Sequence, residues 1–561
     1  MSLEQYIRTV RAMDNSIFRV LARQVEDPNR SDYGGIEKPN LGLADSEYGI
    51  NDLLSVYFCP ESKFYLNKIL RERLIRALEF LVRNQHEDGT VDLYETNFYS
   101  PPDTSFRVWL YAPWVEYLRR INTESDILFL LEHFLKKAIP ALKSGGFHTP
   151  NHRWVQASAL ARLGSLFNDD ECKLIAQEYL KEGIDCNNDG LFYERSLGVY
   201  NPICGIAMLW LAEDLNRPEL MDYTRKVLDL ATYFLEPDGT ILNTFSLRQD
   251  RGIRMPADTR YYYLFKKMGI MDENGLYLQT SDIIFDGNSN RLGKGFNPLH
   301  LFLFYPEFKE ENIERRPLPR SGIFYFKDSG IVRINSDKNS LTFTKDSDEF
   351  LTIVLDDVDI RFRYLTSFFG KGPFVGSSLE KEEEGYTLRQ SLKWGYVDLL
   401  PEEERGKETA WDRMNHFLRK WIKLQEIGTA ITLIPEDLNN VKLYIRTDGC
   451  RDVLTMLEIA IPKDGEISFD GRVTRVKEDI FLLEEGRLYY RKENSFFELF
   501  PGFKAHKLIE YRGDKNIKSK DKIYVGITFR IPFEFTLNIS FGEIFSINVT
   551  LTPLKLKNPH G

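Results

Sequence analysis

The chain has 561 residues, of which 42% are hydrophobic and 28% are charged. Because a single hydrophobic core stops growing at roughly 250 to 300 residues, this length and composition predict two large domains or three smaller ones. The formal net charge of -10 provides no long basic face, which argues against general nucleic-acid binding but leaves room for a polyanionic substrate in a locally positive cleft.

The cysteines and the N-terminal sequence predict a cellular compartment. Five cysteines are widely scattered, so they indicate neither a disulfide framework nor a cysteine-based metal site. The N-terminus lacks the apolar run of a signal peptide, and no stretch of about 18 apolar residues occurs anywhere. We therefore expect a cytoplasmic protein that does not associate with a membrane.

Hydrophobic residues recur at helical spacing through much of the N-terminal half. Such stripes, with charged residues on the opposite face, predict amphipathic helices over 64–81, 155–163, 203–211 and 221–234. Turns that contain Asp-Gly or Gly-Gly follow several predicted helices, around Gly89, Gly146, Gly190 and Gly239, at intervals of about 50 residues. This period matches a repeated helical hairpin and predicts a complete or incomplete (α/α)6 toroid whose polar loops gather at one rim and form a cleft.

The character of the chain changes at 315–321, where the sequence is RRPLPRS. Short alternating or β-branched runs follow at 322–333, 351–355, 441–446, 480–483, 523–531 and 533–551, without helices between most of them, and they predict an antiparallel β-sandwich. The charged segment 402–425 is the exception and predicts a helix or an ordered excursion from the sheet. We expect residues 1–315 to form the toroid and residues 316–561 to form the sandwich.

The densest group of functional side chains is Asn151, His152, Arg153 and Trp154, which we expect just before a helix that begins near Val155. Backbone N–H groups and the helix dipole favour an anion at such a junction, so a carboxylated sugar would be held there. The alternative is structural: a capping Asn, a hydrogen-bonded loop His and a surface Arg. His148 does not complete a helical two-histidine zinc site in this interpretation, because Pro150 lies between the two histidines.

Neighbouring rims supply further candidates. The next repeat contains Tyr193, Glu194 and Tyr200, and a toroid brings successive rims together, so Tyr200 is expected to face His152. The candidate substrate-binding residues on the rims are Asp103, Arg153, Trp154, Tyr193, Glu194, Arg254, Arg260 and Tyr261. Arg248, Arg251, Arg254 and Arg260 form a local cationic patch in an acidic protein.

The order of these residues resembles a known family. An Asn-His pair on one loop, followed by a Tyr in a DG…Y…G segment that opens the next helix, resembles the heparinase II/III-like and oligoalginate lyases. The sequence GIFYFKDSGIVRI also resembles the opening strands of that family's sandwich. The resemblance implies an (α/α) toroid joined to a β-sandwich, a carboxylate-neutralising role for Asn151, a catalytic role for His152 and proton transfer by Tyr200. The family's further His or Tyr in the second domain has only candidate matches here, in Tyr386, Tyr396 and His416.

The residue types suit β-elimination from a uronate. This reaction removes a proton alpha to a carboxylate, so it needs neutralisation of that carboxylate, a base near C5 and an acid near the departing oxygen, and it requires neither a metal ion nor an organic cofactor. We expect the partner to be a uronate-containing oligosaccharide or polysaccharide, cleaved from its end. A homodimer through the sandwich is compatible with this architecture.

Two other classes of function remain open. A glycoside hydrolase of the (α/α)6 class, acting for example on unsaturated uronyl oligosaccharides, would use paired carboxylates chosen from Glu95, Asp103, Glu194 and Asp258. A non-catalytic saccharide-binding protein would use the aromatic and arginine-rich cleft only for capture. The product separates these classes, because only a lyase creates a C=C bond conjugated to the carboxylate.

Overall fold

The computed structural model describes residues 2–38, 40–45 and 47–544. The chain divides into two compact units, Met1–Leu318 and Pro319–Gly561. The division falls in a segment without regular secondary structure, 311–320, which also contains the boundary expected from the sequence.

The first unit is helical. Its helices are α1 (Ser2–Ala22), α2 (Glu47–Phe58), α3 (Lys68–Arg83), α4 (Pro101–Ile121), α5 (Ser125–Lys143), α6 (Pro150–Phe167), α7 (Asp170–Lys181), α8 (Tyr200–Asp214), α9 (Met221–Phe234), α10 (Thr259–Met271), α11 (Gly275–Gly287), α12 (Leu299–Phe304) and α13 (Glu307–Glu310). Two short antiparallel hairpins lie between helices, β1 (Val91–Leu93) with β2 (Asn97–Ser100), and β3 (Thr240–Leu242) with β4 (Arg254–Pro256).

These helices form a closed ring of hairpins. The inner helices α2, α4, α6, α8 and α10 contact one another in succession, and α12 closes the ring by packing against α2, α4 and α10. Each of α3, α5, α7, α9 and α11 packs outside the inner helix that precedes it. In α8, every residue from Asn201 to Ala212 is buried, as expected of a helix surrounded by others. The predicted toroid is confirmed, with five hairpins and with α1 and α12 in place of a regular sixth.

Glycines in the turns allow the rim segments to pack closely against the outer helices. Gly89 and Gly190 have φ angles of 92° and 93°, and a Cβ at either position would collide with the backbone carbonyl of Lys137 on α5 or Lys226 on α9. A Cβ at Gly34 would collide in the same way with the backbone carbonyl of Arg76 on α3. Only glycine combines this left-handed conformation with so close an approach of two backbones.

Two inner helices begin earlier than the sequence predicts. Helix α6 begins at Pro150 rather than near Val155, because a proline in the first turn lacks only an N–H that would be unpaired there and already has a helical φ angle. Helix α8 begins at Tyr200 rather than at Ile203. The Tyr200 backbone N–H donates to the carbonyl and to the hydroxyl of Ser196, both at 3.1 Å.

The second unit is built from strands. They are β5 (Ser321–Phe326), β6 (Ile331–Ser336), β7 (Asn339–Thr344), β8 (Glu349–Leu355), β9 (Val358–Thr366), β10 (Ser378–Lys381), β11 (Tyr386–Val397), β12 (Trp421–Pro435), β13 (Asn440–Gly449), β14 (Leu454–Pro462), β15 (Glu466–Asp470), β16 (Val473–Lys477), β17 (Ile480–Leu483), β18 (Arg487–Lys492), β19 (Ser495–Phe500), β20 (Lys522–Arg530) and β21 (Phe533–Glu543).

These strands form two large sheets. One has the order β10-β11-β12-β13-β21-β19-β18-β15, and the other has the order β16-β17-β20-β14-β9-β8-β7-β6-β5. The pairings are antiparallel apart from β17 with β20. A single apolar cluster draws buried side chains from both sheets, including Ile353, Phe362, Leu443 and Leu537. The predicted β-sandwich is confirmed.

The segment between β11 and β12 contains only short 3-10 turns, and β12 begins at Trp421, so a helix over 402–425 is wrong and the ordered excursion is correct. The predicted strand 533–551 corresponds to β21 up to Glu543, and its last residues, 545–551, lie outside the described residues. None of the helices in the described ranges combines the length and apolar character needed to cross a bilayer.

Candidate active site

The candidate residues lie at the starts of two neighbouring inner helices and in one loop. Asn151 and His152 stand in the first turn of α6, and Tyr200 is the first residue of α8. Arg248 and Gln249 lie in the loop between β3 and β4. Because α6 and α8 are adjacent in the ring, their N-terminal turns lie at the same rim.

Asn151 is fully buried and is bound to Glu194. Its side-chain amide nitrogen lies 3.0 and 2.9 Å from the two carboxylate oxygens of Glu194 and 3.1 Å from the hydroxyl of Thr149. Its backbone N–H also donates to Glu194, at 3.2 Å. The Asn151 amide oxygen has no hydrogen-bond partner among the described residues. In this arrangement Asn151 has no amide hydrogen left for a substrate carboxylate.

Arg248 joins this pair to Tyr200. Its Nε lies 3.3 Å from a carboxylate oxygen of Glu194, and its guanidinium carbon lies 5.1 Å from the centroid of the Tyr200 ring. Burial raises the pKa of Glu194, while the hydrogen bonds from Asn151 and the charge of Arg248 oppose that rise. A continuous chain of contacts therefore runs from Asn151 through Glu194 and Arg248 to the phenol ring.

Tyr200 is half-buried, and its backbone and its hydroxyl are both held in place. Its hydroxyl accepts a hydrogen bond from the side-chain amide of Gln249. Ser196, which receives the Tyr200 backbone N–H, donates to one carboxylate oxygen of Asp250 at 2.6 Å, and Ser246 donates to the other at 2.6 Å. Since the phenol oxygen accepts from Gln249, its own proton is available for a substrate oxygen.

His152 is a neutral imidazole in this environment. Its pKa is lowered to about 4, mainly by burial and also by the neighbouring His148 and Arg248, while Asp103 opposes them. Its Nδ1 has no hydrogen-bond partner within the described residues, and its ring lies edge-on to Phe106 at a centroid distance of 6.2 Å. Nδ1 is buried, so a substrate would meet the other ring nitrogen, and a neutral histidine can accept a proton there.

His148 precedes helix α6, so it does not share a helical turn with His152, as the position of Pro150 predicts. The two rings are nevertheless neighbours, with centroids 4.8 Å apart. Within the described ranges, no three His, Cys, Asp or Glu side chains are grouped so that they could hold a metal ion.

Several predicted substrate-binding residues have structural partners instead. Trp154 and Tyr261 are fully buried, with the indole N–H donating to Asp185 at 2.7 Å and the phenol donating to the Leu197 carbonyl at 2.6 Å. The expectation that these two rings contact a substrate is wrong, since neither ring reaches the surface. Arg153 stacks on Trp154 and pairs with Asp185 at 2.9 Å and with Glu182 at 3.1 Å.

The other predicted rim residues differ in their surroundings. Arg254 pairs with Asp238 at 2.9 Å, and the Nε of Arg260 donates to Asp258 at 2.7 Å. Asp103 accepts hydrogen bonds from Ser100 and, at 2.8 Å, from Asn97. Tyr193 is 67% exposed.

Sequence reasoning missed the residues that surround Tyr200. Gln249, Ser196 and Asp250 have no recognisable motif, and their role depends on the fold of the β3–β4 loop. Arg248 carried a signal, because it belongs to the arginine-rich patch, but nothing in the sequence favours it over Arg254 or Arg260.

No protein-family model and no curated protein sequence matches this chain. Solved structures do match it. The chain is similar to heparinase III, with 12% identity and a TM-score of 0.55 over 95% of this chain and 85% of that one. It is also similar to the chondroitin AC lyase of Streptomyces coelicolor A3, with 10% identity and a TM-score of 0.52 over 96% and 80%.

A third similar structure is the xanthan lyase of Paenibacillus, with 9% identity and a TM-score of 0.54 over 97% of this chain and 57% of that one. Identities this low establish the fold and leave the activity to be argued from the site. The chain therefore has the toroid-plus-sandwich fold of the polysaccharide lyases, as its resemblance to the heparinase II/III-like enzymes predicted.

Proposed function

We propose that this protein is a polysaccharide lyase that cleaves a uronic-acid-containing saccharide by β-elimination. The observation that carries the proposal is the placement of a neutral His152 and a Tyr200 held by Gln249 at the starts of two adjacent inner helices. Arg248 supplies positive charge beside the tyrosine. A base, an acid and a cation are the three groups that this elimination needs.

In the proposed reaction, His152 takes the proton from C5 of the uronate. The electron pair of the broken C5–H bond forms the C4=C5 double bond, and the C4–O4 bond breaks. Tyr200 gives its proton to the departing oxygen, so the leaving sugar ends in a hydroxyl. The protons exchange with solvent afterwards, which restores the neutral imidazole and the phenol.

The carboxylate of the substrate must be neutralised while charge builds up at C5. Asn151 was expected to do this from the sequence, but Glu194 and Thr149 occupy its amide hydrogens. Arg248 is 29% exposed in its side chain and has a formal charge, so we assign the neutralisation to Arg248. Asn151 then acts by holding the Glu194 carboxylate that positions Arg248.

The test is incubation of the purified protein with a panel of alginate, pectate, hyaluronan, chondroitin sulfate and heparan sulfate. A rise in the ultraviolet absorbance of an unsaturated uronate with one polymer supports the lyase and identifies its sugar. New reducing ends without that absorbance would move the assignment to a hydrolase that uses rim carboxylates. Binding without either product would leave a saccharide-binding protein.

Exo action on oligosaccharides, a homodimer and a cytoplasmic location stay predictions from the sequence. The size distribution of early products tests the first, because an exo enzyme releases short products while the polymer stays long. Light scattering of the purified chain tests the second.

A further inference from the structure

Exposed aromatic side chains cluster where strands β11 and β12 run together towards the excursion 398–420. Trp394, Tyr396, Trp421 and Leu424 are 38%, 60%, 43% and 43% exposed. We call these four residues and the strand ends that carry them the β11–β12 ribbon. Scattered exposed apolar residues are ordinary, but two tryptophans and a tyrosine on one strand pair mark an interaction surface.

The geometry of the ribbon keeps these rings together. The ring centroids of Trp394 and Trp421 are 4.9 Å apart with an interplanar angle of 69°. The register of the two strands shifts between Trp394 and Tyr396, and Lys423 on β12 has a φ angle of 49°. A β-bulge of this kind redirects side chains, and here it lies among the exposed rings.

Lysines outnumber carboxylates around the ribbon, where Glu426 lies opposite Lys393 in the strand register and Asp398 follows β11. Lys371 lies over the face of Trp394. Lys371, Lys393, Lys420 and Lys423 have no carboxylate oxygen within 4.0 Å in the described part of the chain. Other lysines of the same unit do have such partners, at 2.8, 2.7 and 2.7 Å for Lys463, Lys492 and Lys522. An acidic protein therefore carries a local excess of positive charge beside exposed indoles.

We propose that the β11–β12 ribbon is a binding surface for an anionic, uronate-bearing saccharide chain. The apolar faces of sugar rings stack on indole and phenol rings, and the free lysines match carboxylates or sulfates along the chain. The class of saccharide rests on the proposed function. The ribbon gives the second unit a role in capturing the polymer.

Charge also decides against a second copy of this chain as the occupant. A two-fold interface would place the same patch on both sides, so two surfaces with more lysines than carboxylates would meet. Lysine is depleted from the cores of protein interfaces because burying unpaired charge is unfavourable. A polyanion meets the same surface with the opposite charge.

The test is affinity electrophoresis in gels that contain alginate or heparan sulfate, with dextran as the neutral control. All proteins carry Tyr200→Phe so that the probe is not consumed. We expect Trp394→Ala/Trp421→Ala to weaken binding of the retarding polymer by at least about tenfold. Lys420→Gln/Lys423→Gln should weaken it as well and should reduce its dependence on salt.

Matched controls are Phe129→Ala, an exposed ring on α5, and Lys515→Gln/Lys520→Gln, exposed lysines of the second unit that have no carboxylate partner among the residues the structure describes. Circular dichroism and the thermal midpoint establish that each variant is folded. The controls should be retarded like the parent protein.

Three results overturn the proposal: ribbon variants that bind the polymer like the parent, equal retardation by single-stranded DNA at the same salt, or a dimer that becomes a monomer in the ribbon variants. Failure of the proposed function looks different. If the wild type cleaves no polymer but the ribbon variants still lose retardation, the binding surface is supported and the lyase activity is rejected.

Discussion

Glu194 binds Asn151 through both of its carboxylate oxygens, at 2.9 and 3.0 Å, and accepts the Asn151 backbone N–H at 3.2 Å. The same carboxylate lies 3.3 Å from Arg248. A buried, acceptor-only group thus stands between a buried amide and the guanidinium that contacts Tyr200. This relationship suggests that Glu194 organises the site without touching the substrate.

Glu194→Gln should disrupt that organisation while keeping the shape of the side chain. The amide cannot accept through both of its terminal atoms, and it removes the negative charge that attracts Arg248. We expect kcat to fall by about 10²-fold with a smaller change in KM. Glu95→Gln, which changes a rim carboxylate paired with Lys38, is the matched control and should be near wild type. Equal loss in both variants would contradict the assignment.

Tyr200→Phe removes only the hydroxyl. If this group protonates the departing oxygen, turnover should fall by about 10³-fold or more while substrate binding stays within about twofold. Steady-state kinetics and equilibrium binding of the substrate to the variant measure the two effects separately. A parallel loss of binding and turnover would mean that the tyrosine only holds the sugar.

The pH profile should report the neutral His152. A base must be deprotonated, and burial lowers the pKa of this histidine to about 4, so kcat/KM should stay high at mildly acidic pH and fall only as the pH decreases through about 4. Asp103→Asn removes a charge that raises this pKa and should move the acid limb to lower pH. An acid limb near pH 6.5 in the wild type would exclude His152 as the buried base.

Arg248→Gln tests the neutralisation of the substrate carboxylate. Loss of the charge beside Tyr200 should lower kcat/KM by about 10²-fold, and Arg248→Lys should recover part of it because the charge returns without the planar fork. Arg260→Gln is the comparison, since Arg260 is paired with Asp258. If Arg260→Gln is as damaging as Arg248→Gln, the carboxylate lies elsewhere on the rim.

Gly190→Ala and Gly183→Ala separate two effects of a methyl group at a left-handed glycine. Their φ angles are 93° and 94°, but the new Cβ would strike the Lys226 carbonyl at Gly190 and would meet nothing within 4 Å at Gly183. We expect Gly183→Ala to lower the free energy of unfolding by about 1 kcal/mol and Gly190→Ala by about 3 kcal/mol. Chemical denaturation measures both, and equal losses would show that the carbonyl contact is unimportant.

The features that could be predicted from the sequence are those encoded by residues close together in the chain. Helical stripes, glycine turns and alternating strands are local, so the order of a helical ring and a sandwich was predicted. Pro150 was interpreted as a break because proline both ends and starts helices, and only its neighbours in space distinguish the two. Arg260 pairs with Asp258 in its own segment, whereas Arg248 reaches Glu194 and the Tyr200 ring in another segment. Sequence spacing does not reveal this difference.

Tyr261 and Trp154 illustrate the opposite error. Aromatic and polar residues near a rim have the composition of a binding site, but the fold turns these two rings inward. Gln249 carried no signal at all, because a single glutamine becomes informative only when its amide is found on the Tyr200 hydroxyl.

The turn glycines have a consequence for how such a ring can change over time. Gly89 and Gly190 each fix the start of a rim segment on an outer helix, and the first turn of the next inner helix fixes its end. Insertions or exchanges between these two anchors leave the helical ring intact, so each rim segment is a replaceable module. New substrate ranges could therefore be reached, in evolution or in the laboratory, by grafting one segment at a time.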